Sequence, residues 1–234
     1  GPVVLVGHSY GGMVITGGLG IHGGGVAMVG SGPVLANNLI TANITDGAGA
    51  GVSIWGFRIL SSTESYLPLL TNNTIVANQS INDEGDGGGV AVIGSSPVIV
   101  RNVIARNTAT RNGGGIACWR HSLPLIANNL IEANSASFDS STASTGGGGV
   151  FASATDFDGR PIPGAVSAPY LVNNVIAANG ARSGGGVAVI DSLLGAATLQ
   201  NNTIVANSGA GVFWGNTSPT NENNLVAFNT WGFE

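Results

Sequence analysis

Pro33-Val34-Leu35-Ala36-Asn37-Asn38-Leu39-Ile40-Thr41-Ala42-Asn43 is a short apolar phrase punctuated by asparagines, and the chain repeats it. Further copies run over 68–78, 97–107, 124–134, 169–179, 197–207 and 219–229. Six of the nine prolines open a copy at the same phase. The first Asn of each pair, with Arg101 standing in once, falls at 37, 72, 101, 128, 173, 201 and 223, in steps of 35, 29, 27, 45, 28 and 22 residues. Between copies comes a second phrase, a glycine cluster leading into a β-rich stretch: Gly25-Val26-Ala27-Met28, Gly51-Val52-Ser53-Ile54, Gly89-Val90-Ala91-Val92, Gly115-Ile116-Ala117-Cys118, Gly149-Val150-Phe151, Gly186-Val187-Ala188-Val189 and Gly211-Val212-Phe213-Trp214. Self-similarity at this period is the mark of a stacked-repeat architecture.

Each unit holds three short strands separated by Gly, Asn and Pro. No helical period of 3.6 appears over any long window. A unit this small cannot bury its own apolar face, whereas stacked copies can. Unequal steps mean that loops are inserted at corners while the strands stay in register. The expected fold is therefore all-β: a parallel β-helix solenoid with three short strands per coil and about seven coils plus a partial N-terminal one, in a single domain over 1–234. Stacked coils lie ~4.8 Å apart, so residues at one phase form ladders along the axis. Asparagine suits this role because its amide both donates and accepts and because it tolerates the left-handed backbone of a tight corner. Ile40, Ile75, Ile104, Ile131, Ile176, Ile204 and Val226 are the expected inward column. Over 14–234 these units resemble the repeats of pectate-lyase-like parallel β-helix proteins, and that resemblance implies a right-handed coil.

Composition narrows the function. Only 8% of residues are charged, 39 of 234 are Gly, all seven basic residues are Arg, and the net charge is −5. A chain without clustered cations is not expected to bind nucleic acid or an anionic membrane surface. No apolar run reaches the length of a membrane span. With a hydrophobic fraction of 43% the chain is expected to fold rather than stay disordered. Cys118 is alone, which excludes an internal disulfide and a cysteine-based zinc site. A Gly- and Asn-rich solenoid of low charge is expected to be extracellular.

Residues 1–17 stand apart. Val3-Val4-Leu5-Val6-Gly7-His8-Ser9-Tyr10-Gly11-Gly12 resembles the nucleophile-elbow segment of α/β-hydrolases of the esterase and lipase type. The resemblance implies a carboxylic-ester hydrolase with Ser9 as nucleophile and the amide of Tyr10 in the oxyanion hole. His22 is the candidate base within the chain, since His8 adjoins Ser9 and His121 belongs about four coils away. The same residues also thread into the solenoid as an incomplete first coil, with Val3–Val6 a strand, Gly7–Gly12 a corner, and Val14-Ile15-Thr16 in phase with Leu39-Ile40-Thr41. Because the chain opens almost directly in a strand, an open β-helix end is expected to be covered by a second copy, as a homodimer.

Other residues point to other ligands. Trp55, Trp119 and Trp214 follow the second phrase, where outward rings would stack on sugars or pack against an inserted loop. The longest insertion, 135–168, carries Asp156 and Asp158, either a carboxylate pair flanking a sugar or a turn. Asp191, after the Val187–Ile190 stretch, would face the same groove. Asp83, Glu84 and Asp86 offer oxygen ligands for Ca²⁺ without EF-hand spacing, so a solvated loop is expected there. Arg101, Arg106, Arg111 and Arg120 read as a solvated face. Three function classes remain open: a serine ester hydrolase, a polysaccharide-binding or polysaccharide-cleaving protein, and a structural or adhesive β-helix.

Overall fold

The computed structural model describes residues 13–15, 24–56, 67–81, 85–136, 146–190 and 195–233. Every strand pairing among its named strands is parallel, and together they form four sheets. Sheet A has nine strands: Met13–Ile15, Val26–Val29, Val52–Trp55, Val90–Ile93, Ile116–Trp119, Val150–Ser153, Val187–Ile190, Ala210–Gly215 and Trp231–Phe233. Sheet B has seven three-residue strands, from Val34–Ala36 to Thr220–Glu222, and sheet C seven more, from Leu39–Thr41 to Leu225–Ala227. The chain runs A, B, C and back to A once per coil, so the repeat units pair coil on coil as a parallel β-helix.

The sequence reading missed one element and misplaced another. After sheet C, four successive coils add a two-residue strand (Ile44–Thr45, Gln79–Ser80, Thr108–Ala109 and Ser135–Ala136), forming a fourth sheet, D. A two-residue strand is too short to show alternation in the sequence. Met13–Ile15 belongs to sheet A, with Met13 opposite Val26, rather than in phase with sheet C. The glycine pair preceding it, Gly11-Gly12, matches the pair before Val26 and was the phase mark. The 135–168 insertion is also divided. Ser135–Ala136 and Val150–Ser153 are regular members of sheets D and A, leaving inserted chain at 137–149 and 154–168.

The core is a set of columns. Ile40, Ile75, Ile104, Ile131, Ile176 and Ile204 are at most 4% exposed and follow one another in register, with Val226 half-buried above them. The first and third residues of the sheet A strands, such as Val90 and Val92, face them from across the coil. Removing a side chain of this size from such a column costs about 2–5 kcal/mol.

The three asparagines of each phrase divide their labour. The first, at 37, 72, 128, 173, 201 and 223, has φ of 52–60° and turns the corner between B and C. The second and third are ladder residues, buried in every copy but the last. Asn107 Nδ2 donates to Asn134 Oδ1 (3.0 Å) and to Ile75 O (2.9 Å), while its Oδ1 accepts from Asn78 N (3.0 Å) and Nδ2 (2.9 Å). Asn102 repeats the pattern one corner earlier, so the polar capacity of a buried amide is fully used. The corner after sheet C is left-handed as well, yet it uses Ala42, Ala77, Ala133, Ala178 and Ala206, which propensity alone does not select. Ladders on both sides of that corner dictate its backbone.

The ladder also explains the glycines. A Cβ on Gly89 would lie 2.6 Å from Gly115 O, 2.9 Å from Asn107 Nδ2 and 2.9 Å from Ile104 Cγ2. No side chain fits where the sheet A strand begins beside the asparagine column.

Candidate functional site

Two kinds of corner meet the coil wall. The B-to-C corner always takes two residues, from 37–38 to 223–224. The A-to-B connection ranges from 30–33, 94–97 and 216–219 to 154–169, and the return to A varies too, as 206–209 and 137–149 show. Length variation therefore borders sheet A on both sides and leaves the remaining walls uniform. Variable loops on a rigid scaffold are where recognition tends to be placed.

The outer face of sheet A is made by the second and fourth residue of each four-residue strand and by the residues in register with them. The second-residue column reads Ala27, Ser53, Ala91, Ala117, Phe151, Ala188 and Phe213. The fourth-residue column reads Val29, Trp55, Ile93, Trp119, Ser153 and Ile190. Small alanines leave a trough in which the larger rings lie down. Ala91, Ile93, Ala117, Trp119, Phe151 and Ala188 form a second buried cluster outside the coil, with Trp55 and Phe157 packed against it.

Phe157 reaches this cluster from the 154–168 strap. Asp156 builds its tip: its carboxylate accepts from the amides of Asp158 (3.0 Å) and Arg160 (2.8 Å), and Gly159 takes φ of 77°. Asp158 pairs with Arg160 at 2.7 Å in the open. Asp156 thus closes a turn and Asp158 forms a surface ion pair. The strap is tied back to the coil where Ser167 Oγ donates to Cys118 O (3.2 Å) and Ala168 N to Ser122 O (3.0 Å). Ahead of these ties the Phe157 ring sits 5.4 Å from the Trp119 ring and 6.1 Å from Trp55, while Trp119 lies 4.9 Å from Phe151. Each contact is tilted, as the ring quadrupoles favour.

This changes the reading of the tryptophans. Trp119 is 1% exposed, so its ring packs against the inserted strap and offers no open platform. Trp55 is half-buried, with Nε1 donating to Ser53 Oγ (2.8 Å). Trp214 lies in register with Val189, the third residue of its strand, and packs against the interior cluster. The glycine phrase before it contributes one residue fewer than the phrase before Trp55, which reverses its facing.

Two of the arginines leave the solvated face expected of them. Arg101 and Arg106 are exposed at left-handed corners. Arg111 donates to the carbonyl of Phe157 and lies 5.8 Å from the Trp119 ring, and the Arg120 guanidinium lies 4.9 Å from the Phe157 ring. Phe157 is gripped by two cations, and neither it nor they were expected as site residues. The signal was a phenylalanine between two turn-forming aspartates, an apolar group that a free hairpin tip would leave in water. Two donors here, Trp119 Nε1 and Arg120 Nε, are buried without an acceptor. A buried donor left unpaired costs about 1–3 kcal/mol.

The acidic tract reads differently too. Asp86 is fully buried, and its Oδ1 accepts from Asn112 N and Nδ2 at 3.0 Å each, with Arg111 3.9 Å from Oδ2. It serves as a rung of the coil wall and not as part of the solvated loop expected there. Asp83, Glu84 and Asp191 lie outside the described residues, as do Ser9, Tyr10 and His22. Among the described residues no group of three His, Cys, Asp or Glu is placed to hold a metal ion. Inside the coil, burial pushes the Cys118 thiol up to about 12.

A family model described as the right-handed beta helix region matches residues 11–131 and again 101–230. No curated protein and no solved structure matches the chain.

Proposed function

The chain belongs to the right-handed β-helix family, and from that premise we propose that it is a polysaccharide-binding protein whose ligand lies along the outer face of sheet A. One observation carries the reading. The length variation of the coil gathers around sheet A, where aromatic rings and guanidinium groups also gather. Aromatic faces take the C–H faces of sugar rings, and guanidinium donors take hydroxyl and carboxylate oxygens. A coil rise of ~4.8 Å gives a linear polymer successive equivalent positions along the axis. The low charge and asparagine-rich wall suit an extracellular setting, where such polymers are met.

Binding is tested by affinity electrophoresis through gels containing neutral and acidic soluble polysaccharides, supported by a glycan array. Retention is expected in at least one gel, weakened several-fold by Trp55→Ala at an unchanged melting temperature. Absence of retention throughout would return the chain to the structural or adhesive class. Assay of a short-chain p-nitrophenyl ester alongside is expected to give equal rates for the protein and for Ser9→Ala. A rate abolished by that substitution would instead identify a serine hydrolase.

A further inference from the structure

We infer that the Phe157 hairpin is a displaceable plug on this face, and that the site beneath it accepts a sugar unit bearing an anionic group. The inference rests on the carbohydrate reading and deepens it. The hairpin touches the cluster as a ligand would: its ring lies against Trp55 and Trp119, its carbonyl takes a hydrogen bond from Arg111, and Arg120 covers the ring. The occupant is incomplete, however. Trp119 Nε1 and Arg120 Nε have no acceptor, and the single carbonyl that Phe157 supplies is taken by Arg111, which also faces Asp86 Oδ2 at 3.9 Å. An anionic group would be a stronger acceptor than that carbonyl for donors that are themselves charged.

The hairpin is also built to detach as a unit. Its tip is closed on itself by Asp156 and by the Thr155–Pro161 bridge, so lifting it leaves those bonds intact. Added Cβ atoms on Gly159 or Gly164 would meet nothing within 4 Å, so neither glycine is wedged against the wall. The ties at Ser167 and Ala168 lie beyond the hairpin and would hold the strap while it swings. The result is a contact that lowers affinity until a ligand able to satisfy the stranded donors displaces Phe157.

The experiment compares wild type, Phe157→Ala and the double variant Phe157→Ala with Arg120→Gln. The probe is an array of matched uronic-acid-containing and neutral oligosaccharides, with tryptophan fluorescence as a second readout. Phe157→Ala is expected to bind the acidic members about tenfold more tightly than wild type, and the double variant to lose that gain. Tryptophan emission should shift to the red in Phe157→Ala before ligand is added and return on binding. Equal binding by wild type and Phe157→Ala, at matched melting temperatures, overturns the plug and leaves the carbohydrate reading standing. An equal gain for the neutral members overturns the anionic assignment. Failure of all three proteins to bind any member overturns the carbohydrate reading, and the plug with it.

Discussion

The B–C–D side and the A side of each coil are built from the same chain under different rules. On the first side every B-to-C corner has two residues, and in every copy but the last the second and third asparagines are buried and bond the next coil. On the second side the connections vary in length, the outer columns change residue type from coil to coil, and two donors are buried without acceptors. Uniformity marks where an error would unfold the molecule, and irregularity marks where variation is tolerated and recognition can be built. The difference can be measured.

The largest effect is expected at the ladder. Asn107→Ala strips the acceptor from Asn78 and the donor from Asn134, and should lower unfolding free energy by about 3–5 kcal/mol in urea titration. Asn128→Ala, in the next copy but exposed at φ 56°, should lose only about 1 kcal/mol. Similar losses at the two positions would erase the division between ladder and corner asparagines.

Next come the glycines. Gly89→Ala drives a Cβ into Gly115 O and Asn107 Nδ2 and should cost about 2–3 kcal/mol. Gly159→Ala, on the strap in open space at φ 77°, should cost about 1 kcal/mol. Thermal melts of the pair would show whether the two sides differ in tolerance.

A smaller, pH-dependent effect belongs to Cys118. Its folded thiol titrates near 12, against an ordinary value of 9.0. Below pH 9 both states hold the proton and the group does not affect folding. Between about 9 and 12 the unfolded chain releases it while the fold keeps it, so stability falls by up to about 1.4 kcal/mol per pH unit. Cys118→Ala, matching Ala152 in the same inward column, should remove that part of the alkaline slope. The slope persisting in the variant would assign it to other groups. The smallest effect is expected for Arg160→Ala. Its ion pair with Asp158 is 75% and 66% exposed, and its loss should change stability by less than about 0.5 kcal/mol.

The fold was legible because the repeat is a physical necessity: an inward Ile every coil and an asparagine at a fixed offset leave few other stackings. What escaped the sequence was local or non-periodic. Sheet D is too short to alternate, and the alanines of the second left-handed corner are chosen by neighbouring ladders. The facing of Trp214 turned on a one-residue offset in the glycine phrase. The candidate site was legible only in part. Trp55 and Trp119 were legible as aromatics at one phase, with an inserted loop as one reading of what they pack against, but Phe157 as the group that covers them was not. Phe157 lies 38 residues beyond Trp119 in the chain, and nothing periodic links them. Arg111 and Arg120 looked like surface charge because the sequence does not show which corners an insertion folds back over.

The asparagine columns carry one more consequence. Each link runs the same way: Nδ2 of the lower coil donates to Oδ1 of the upper one, from Asn38 to Asn224 in one column and from Asn43 to Asn229 in the other. Backbone bonds between coils alternate in sense, as Val90 N to Gly115 O and Val98 N to Pro68 O do, and their dipoles largely cancel along the axis. The side-chain amides do not alternate. Two parallel files of aligned amides polarise one another and give the solenoid an electrical polarity, as peptide units do in an α-helix. In a chain with little formal charge, that polarity makes its two directions along the axis inequivalent to an approaching ion or polymer.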